Sequence, residues 1–204
     1  MATMTQEDVR NLYVLSELDE LNRWADVEPS DTEERDAETQ LHDYFASRYR
    51  EAFWAVISTV IPDEERAQEV YDRYMNDAEI EKVVYTPIDG KDFVDRLEEY
   101  TAEDKAYSPI IISDGHRCFV AGQIAAGEAL EDLGYVLAKT WDTTLDGKER
   151  ETHLLLHGTT LDVDEYFETV NGRAVAPGQF GIAEEDCNCR CLLEFTVYYS
   201  PDEV

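Results

Sequence analysis

The sequence predicts an α+β fold, with a helical N-terminal half followed by a compact C-terminal module that holds a helix, a β-hairpin and a final strand. Two observations support this prediction. Apolar residues recur at spacings of three, four and seven through the first half, which is the period of an amphipathic helix. Beyond Gly134 the pattern changes to short segments rich in β-branched and aromatic residues, which are typical of strands.

The change of pattern divides the chain into a helical region at 1–107 and an α+β module at 108–204. The helical region is expected to contain four helices and one polar linker. The helices are predicted at 5–23, 38–61, 63–82 and after the Asp89-Gly90 turn, where Phe93, Leu97 and Tyr100 form an inner face, and the linker at 26–38. Pro62 separates the second helix from the third.

The module is expected to begin with a helix near 113–133, whose small residues allow another backbone to approach closely and which ends at Gly134. A β-hairpin follows, formed by "YVLAKTWDTT" and "ERETHLLLHG" around the Asp146-Gly147 turn, since Asp-Gly between two candidate strands is a strong hairpin signal. The segment "CLLEFTVYYS" is predicted as the final strand.

The chain is strongly acidic, with 47 Asp and Glu against 17 Lys and Arg and a formal net charge of -30. Three explanations compete: an acidic mimic of DNA, an ordinary acidic surface, and a protein that stays soluble in concentrated salt. The acids are spread along the whole chain and lysines are few, which favours a halophilic host. Binding to DNA phosphates through a generally basic surface is excluded, so any DNA contact has to be local.

The sequence indicates a protein that is made and kept without passing through a secretory membrane. Apolar runs are too short for a membrane span, and the N-terminus carries acids where a signal peptide carries bases. Three of the four cysteines lie together at 187–191 instead of being spaced as a disulfide framework. We therefore expect no membrane partner and reduced thiols.

The common catalytic motifs are missing from the sequence. It contains no glycine-rich phosphate loop, no G-x-S-x-G elbow and no H-E-x-x-H helix. The polar residues that remain are concentrated in the module. They are Asp146, Arg150, His153, His157 and the segment Cys187-Asn188-Cys189-Arg190-Cys191.

Thiolates and imidazoles are the ligands that zinc prefers, so this cluster is a candidate structural zinc site. In an extended strand Cys189 and Cys191 share one face, and His153 with Cys187 or Cys118 would complete the shell. The candidate ligands are His153, Cys187, Cys189 and Cys191. The alternative is that these cysteines are small buried thiols in a core. A disulfide between Cys189 and Cys191 is disfavoured because their Cβ atoms are too far apart in a strand.

Catalysis is a second interpretation, in which His153 is an acid or base and Arg150 binds an anion beside Asp146. The sequence places no nucleophile near them, which favours a hydrogen-bonded scaffold and no catalytic residues. Arg190 is expected to pair with one of the acids Glu184, Glu185 and Asp186. Trp141 and Phe167 are expected in the core.

The order of these motifs resembles the phage Mu F-like family of minor head proteins in tailed viruses, over residues 108–195. The matching residues are Lys139-x-Trp141, Asp146, Arg150-x-x-His153, Gly158, Phe167, Pro177-Gly178 and Asn188-Cys189-Arg190-Cys191, preceded by the helix "SDGHRCFVAGQIAAGEALEDLG". The chain departs from the family pattern at His157, Asp114 and Cys187.

The resemblance implies a structural, non-enzymatic virion protein at the portal vertex or the inner face of the head, acting in capsid assembly and in genome packaging or delivery. The implied partners are the portal protein and the major capsid protein, with a possible local contact to packaged DNA, and the helical region would dock onto them. Two other classes remain open: an enzyme or toxin-like module on the same scaffold, such as a nuclease or transferase, and an acidic DNA-mimic inhibitor.

Overall fold

The computed structural model describes residues 33–93, 95–96, 99 and 108–201. Helices dominate its first half and antiparallel strands follow, which confirms the predicted α+β class. The elements are α1 (Glu33–Val60), α2 (Glu64–Tyr74), α3 (Asp77–Tyr85), α4 (Ser108–Asp132), β1 (Val136–Asp142), α5 (Glu151–Leu156), β2 (Thr160–Asp162), β3 (Phe167–Thr169), β4 (Gly172–Ala174), α6 (Ala183–Asp186) and β5 (Leu192–Tyr199).

Three predicted segments lie wholly or partly outside the described residues. The helix at 5–23 lies outside them, as do positions 26–32 of the expected linker, whereas 33–38 form the start of α1. After the Asp89-Gly90 turn, Phe93 is buried as predicted, but Leu97 and Tyr100 lie outside the described residues. The division at 107/108 stays a prediction.

Helices α1 and α4 form the centre of the fold and pack directly on each other. They approach each other closely at Gly122, where a Cβ atom would lie 2.2 Å from the backbone oxygen of Tyr49. Only glycine fits there, because an atom at that distance would overlap the α1 backbone. The prediction that small residues of α4 allow another backbone to approach closely is therefore confirmed at Gly122.

The single helix predicted at 63–82 is wrong, since the chain forms α2 and α3 with a break at Met75-Asn76. Asp63 begins α2 by accepting a hydrogen bond from the Arg66 N–H at 2.9 Å. Asn76 begins α3 in the same way, accepting from the Ala78 N–H at 3.1 Å. An asparagine that caps a new helix competes with continuing the old one, which explains the break.

The sheet has three antiparallel strands in the order β2-β1-β5. In its register Trp141 lies opposite Leu193, and Lys139 lies opposite both Phe195 and Leu161. The final strand is confirmed as β5. Strands β3 and β4 form a separate two-stranded hairpin.

The second arm of the predicted hairpin is wrong. Residues 149–158 contain helix α5, and the antiparallel partner of β1 on that side is the short strand β2. Its buried residues are His153 and Leu156, three positions apart as on one face of a helix. The leucine run 154–156 fits the period of a helix as well as that of a strand, so the sequence pattern could not distinguish the two.

Two apolar clusters meet at α4. One contains the inner faces of α1 to α4, and the other joins α4 to Trp141, Phe167, Cys189 and Cys191. The helix therefore links the helical half to the loops of the C-terminal module. Among the described residues, no helix combines the length and the hydrophobicity needed to cross a membrane.

A buried ion-pair network ties the helices to the loops. The Asp114 carboxylate on α4 accepts two hydrogen bonds from Arg96 and one from Arg117, each at 2.8 Å. Arg117 also donates to the backbone oxygens of Gly178 at 3.1 Å and Thr86 at 3.0 Å. Because Asp114 is fully buried, its charge has to be compensated inside the protein, and the two guanidinium groups do this with three hydrogen bonds.

Candidate metal-binding site

Three of the predicted ligands meet behind the sheet. His153 comes from α5, while Cys189 and Cys191 come from the loop that leads into β5. The His153 Nδ1 atom lies 3.7 Å from the Cys189 sulfur and 3.4 Å from the Cys191 sulfur. Their side chains are buried, and their ligand atoms lie within 4.8 Å of one another, so the group could hold a metal ion.

The spacing of these atoms fits a tetrahedral metal. A zinc ion with bonds of about 2.3 Å to sulfur and about 2.0 Å to nitrogen would hold a nitrogen and a sulfur ligand about 3.5 Å apart. The observed nitrogen-to-sulfur distances of 3.4 and 3.7 Å lie on either side of that value. The donor set of two thiols and one imidazole also matches zinc chemistry.

The other two cysteines do not join the group. Cys187 is half-buried and precedes the turn that brings Cys189 to His153, so its thiol lies outside the cluster. Cys118 is a packed thiol on α4, in the apolar cluster of the helical half. All four cysteines are free thiols.

The protonation states of the two clustered thiols differ. A hydrogen bond with Cys189, together with the His153 ring, lowers the pKa of Cys191 below the ordinary thiol value despite burial. Burial and the same hydrogen bond with Cys191 raise the pKa of Cys189. One sulfur is therefore prepared as a thiolate, which is the form that binds metals.

Behind His153 lies the buried carboxylate of Glu185. Its Oε2 is 2.9 Å from the histidine Nε2, although the ring N–H is poorly aligned with that oxygen. Burial alone would raise the pKa of Glu185, but hydrogen bonds from Asn171, Thr152 and Thr169 lower it overall. The far side of the histidine thus faces a negative charge.

The Asn188-Cys189-Arg190-Cys191 motif has a structural explanation at each position. Asn188 adopts a left-handed backbone with φ of 56°, which asparagine tolerates better than most residues, and its N–H donates to Ser113 Oγ at 3.0 Å. Cys189 and Cys191 turn inward to His153. Arg190 turns outward and binds Asp146 through two hydrogen bonds.

The expected pairing of Arg190 with Glu184, Glu185 or Asp186 is therefore wrong, because Asp146 in the turn after β1 is its partner. Two of those acids are instead buried. Asp186 accepts hydrogen bonds from the backbone N–H groups of Phe180 at 2.9 Å and Gly181 at 2.6 Å.

The remaining motif residues support the loops around the site. Arg150 donates to the Cys187 backbone oxygen, and the Lys139 ammonium donates to the oxygens of Val163 at 2.5 Å and Glu165 at 2.6 Å. Trp141 is fully buried and contacts Phe167 edge to face, with ring centroids 5.0 Å apart. Both aromatic residues are in the core, as predicted.

His157 lies at the edge of the site. Its Nδ1 accepts a hydrogen bond from the Thr143 N–H at 3.1 Å and lies 3.7 Å from the Asp142 carboxylate. This ring helps to hold the turn after β1 but does not face the two sulfurs.

Sequence reasoning missed two histidine roles. The contact between His153 and Glu185 joins residues far apart in the chain, and no local spacing signals it. His116, on α4, packs against the Cys191 backbone, and burial together with the Arg48 charge lowers the pKa of His116 to about 3. A fully buried neutral imidazole therefore borders the site.

Comparison with known proteins identifies close sequence relatives for this part of the chain. The chain is 37% identical over 87 residues to the minor head protein GP7 of Bacillus phage SPP1, a match that covers 42% of this chain and 28% of that protein. It is 44% identical over 64 residues to the NAD(+)--arginine ADP-ribosyltransferase EFV of Enterococcus faecalis, covering 31% of this chain and 13% of that protein. No solved structure matches.

Both matches cover less than a third of the relative's own length. A third comparison covers more of this chain. The family model described as "Phage Mu protein F like protein" matches residues 77–194, which is more than half of the chain and includes α3 to the first part of β5 with every residue of the candidate site. The chain therefore belongs to the phage Mu protein F-like family.

Proposed function

We propose that this protein is a minor head protein of a tailed virus, located at the portal vertex or on the inner face of the head. The observation that supports the proposal is the family match, which includes every residue of the candidate metal site, together with the similarity to a protein named as a minor head protein. In this role it acts in head assembly and in packaging or delivery of the genome.

Its partners are proposed to be the portal protein and the major capsid protein. The apolar faces of α1 and α2 are buried in the helical core, so a partner contacts their polar outer faces. The exposed residues of α2 are mostly acidic: Glu64, Glu65, Gln68, Glu69, Asp72 and the single base Arg73. A basic surface on the partner is complementary to this face.

The location is tested by purifying virus heads and counting the copies of this protein in each head. A few copies, cross-linked to the portal protein, are expected. Glu69→Lys should weaken that cross-link, whereas the control Glu168→Lys reverses an exposed charge on β3 and should leave it unchanged. Absence from mature heads and from assembly intermediates would contradict the proposal.

We further propose that the protein is not an enzyme. Cys191, His153 and Glu185 do follow the order of a nucleophile, a base and an orienting acid. However, Cys191 is 3% exposed and His153 is 2% exposed, so a substrate has little access to the sulfur or the ring. The wild-type protein should show no transferase or nuclease activity, and His153→Ala should only lower its stability; an activity that His153→Ala abolishes would contradict this view.

The three clustered side chains are proposed to hold a structural zinc ion. Zinc would join α5 to the loop before β5 and so replace apolar packing in a part of the module built from short elements. Elemental analysis of protein purified in molar salt without chelator is expected to find one zinc per chain. A thiol count on the same sample tests whether Cys187 supplies the fourth ligand.

The acidic surface is proposed to adapt the protein to a salt-rich host. At high ionic strength the repulsion among its charges is screened, so the fold should be stable in molar salt and unfold as salt is removed. A DNA-mimic inhibitor behaves in the opposite way, since it binds a basic partner most tightly at low salt. Circular dichroism across a salt series separates these cases.

A further inference from the structure

We propose that Glu185 positions His153 for metal binding in a carboxylate–histidine–metal arrangement. This inference rests on the structural zinc proposed above. The two nitrogens of the His153 ring face opposite ways: Nδ1 lies 3.4 Å from the Cys191 sulfur, and Nε2 lies 2.9 Å from the Glu185 Oε2. The histidine side chain is 2% exposed and the glutamate side chain is 0% exposed, so water does not compete for either contact.

The carboxylate is itself held in one orientation. Its Oε2 accepts a hydrogen bond from Thr152 at 2.9 Å, and its Oε1 accepts from Thr169 at 3.0 Å and Asn171 at 2.9 Å. The oxygen that faces the histidine is thus fixed from α5, while the other oxygen is fixed by the turn between β3 and β4. A rigid acceptor can orient a ring that has rotational freedom.

The acceptor selects one tautomer of the imidazole. A neutral histidine carries one N–H and one lone pair, and a carboxylate at Nε2 favours the proton on that nitrogen. Nδ1 is then left with its lone pair directed at Cys189 and Cys191. Without Glu185 the ring would be free to place the proton on Nδ1, where it would block a metal.

Glu185 also has a structural role, because it ties α5 to the β3–β4 turn, and its bonds to that turn use Oε1, the oxygen that does not face His153. This separation provides a matched control. Glu185→Gln changes the group that faces the histidine, whereas Thr169→Val removes one bond to the far oxygen and leaves the contact with His153 intact.

The test is a competition titration of zinc against a chelator, on the full chain in molar salt. Glu185→Gln is expected to weaken zinc binding by about 10- to 100-fold, as for other partners that orient metal ligands. Thr169→Val should change it by less than about twofold. Equal weakening in both variants would mean that Glu185 acts only as a structural tie, and unchanged affinity in Glu185→Gln would also overturn the inference.

If the wild-type protein binds no zinc, the proposed metal site is wrong and the inferred role of Glu185 is overturned with it. A second measurement avoids variants that fail to fold. Nitrogen-15 NMR of histidines in the zinc-loaded wild-type protein should show His153 bound through Nδ1, with a slowly exchanging proton on Nε2. Binding of the metal through Nε2 would overturn the role of Glu185 even if zinc is present.

Discussion

The α1–α4 helix pair and the part of the C-terminal module after Gly134 differ in what holds them together. Helices α1 and α4 are long, and they are joined by apolar side chains and by a backbone contact at Gly122. The part after Gly134 consists of short strands and helices whose loops are held by buried polar groups, such as Lys139, Glu185 and Asp186. A small core region of this kind benefits from a metal ion, whereas a helix pair does not need one.

Removal of the metal is expected to have the largest effect. It should expose thiols in one region and leave the other region closed. Chelation should make Cys189 and Cys191 reactive towards a thiol reagent in the folded protein. Cys118, which is 0% exposed in the helical core, should stay unreactive until the protein unfolds. The measurement is a thiol titration with and without chelator. Simultaneous exposure of Cys118 would show that the two regions do not open separately.

Asp114→Ala tests the network that joins the regions. It leaves Arg96 and Arg117 without their buried partner, and losing one partner of a buried pair costs about 3–5 kcal/mol. Denaturant unfolding should show this decrease. The control Glu79→Ala breaks a surface pair with Lys82 and should cost less than about 1 kcal/mol. Similar effects of the two variants would contradict the importance of the buried network.

Gly122→Ala probes the helix contact alone. The added Cβ atom would meet the Tyr49 backbone at 2.2 Å, so the helices must move apart, at a cost of about 1–3 kcal/mol. In a chain of this size each kcal/mol lowers the melting temperature by about 2–4 °C. Glu128→Ala, on an exposed position of α4, is the control. Zinc affinity in Gly122→Ala should match that of the wild type, since the site lies elsewhere.

Asp146→Asn should have the smallest effect, because its ion pair with Arg190 is about a third exposed. A hydrogen bond from Arg190 lowers the pKa of Asp146 from 3.8 to about 2 in the folded state. The pair therefore stabilises the fold above pH 4 and loses this contribution as the pH falls towards 2. Carboxyl chemical shifts during an acid titration measure the pKa, and a value near 3.8 would contradict the pairing.

The sequence predicted the elements that have a clear period or a strong terminator. Helix α4 was predicted because its small residues end at Gly134, a clear helix terminator. Strand β5 was predicted because its segment is rich in aromatic and β-branched residues. The break at Asn76 was missed because apolar spacing continues across it, from Val70 to Ile80. In such a segment the capping residue, here Asn76, decides where one helix ends and the next begins. Whether the cap forms depends on how the new helix packs against α4.

The candidate site was predictable in chemistry but not in geometry. Ligand types identified His153, Cys189 and Cys191, which the structure brings together. The position of Cys187 depends on α6 and on the left-handed backbone of Asn188, which redirect the chain between neighbouring cysteines. The approach of Glu185 to His153 depends on how α5 packs against the β3–β4 hairpin, and no sequence spacing encodes that.

The packing of α1 on α4 has a consequence for how this segment is exchanged between proteins during evolution. The family match begins at residue 77, yet α1 ends at Val60 and covers an apolar face of α4. The matched segment is thus shorter than the set of helices that packs together in this structure. A gene fusion that transfers only the matched residues would carry α4 with one face uncovered, so the receiving protein has to provide a substitute helix.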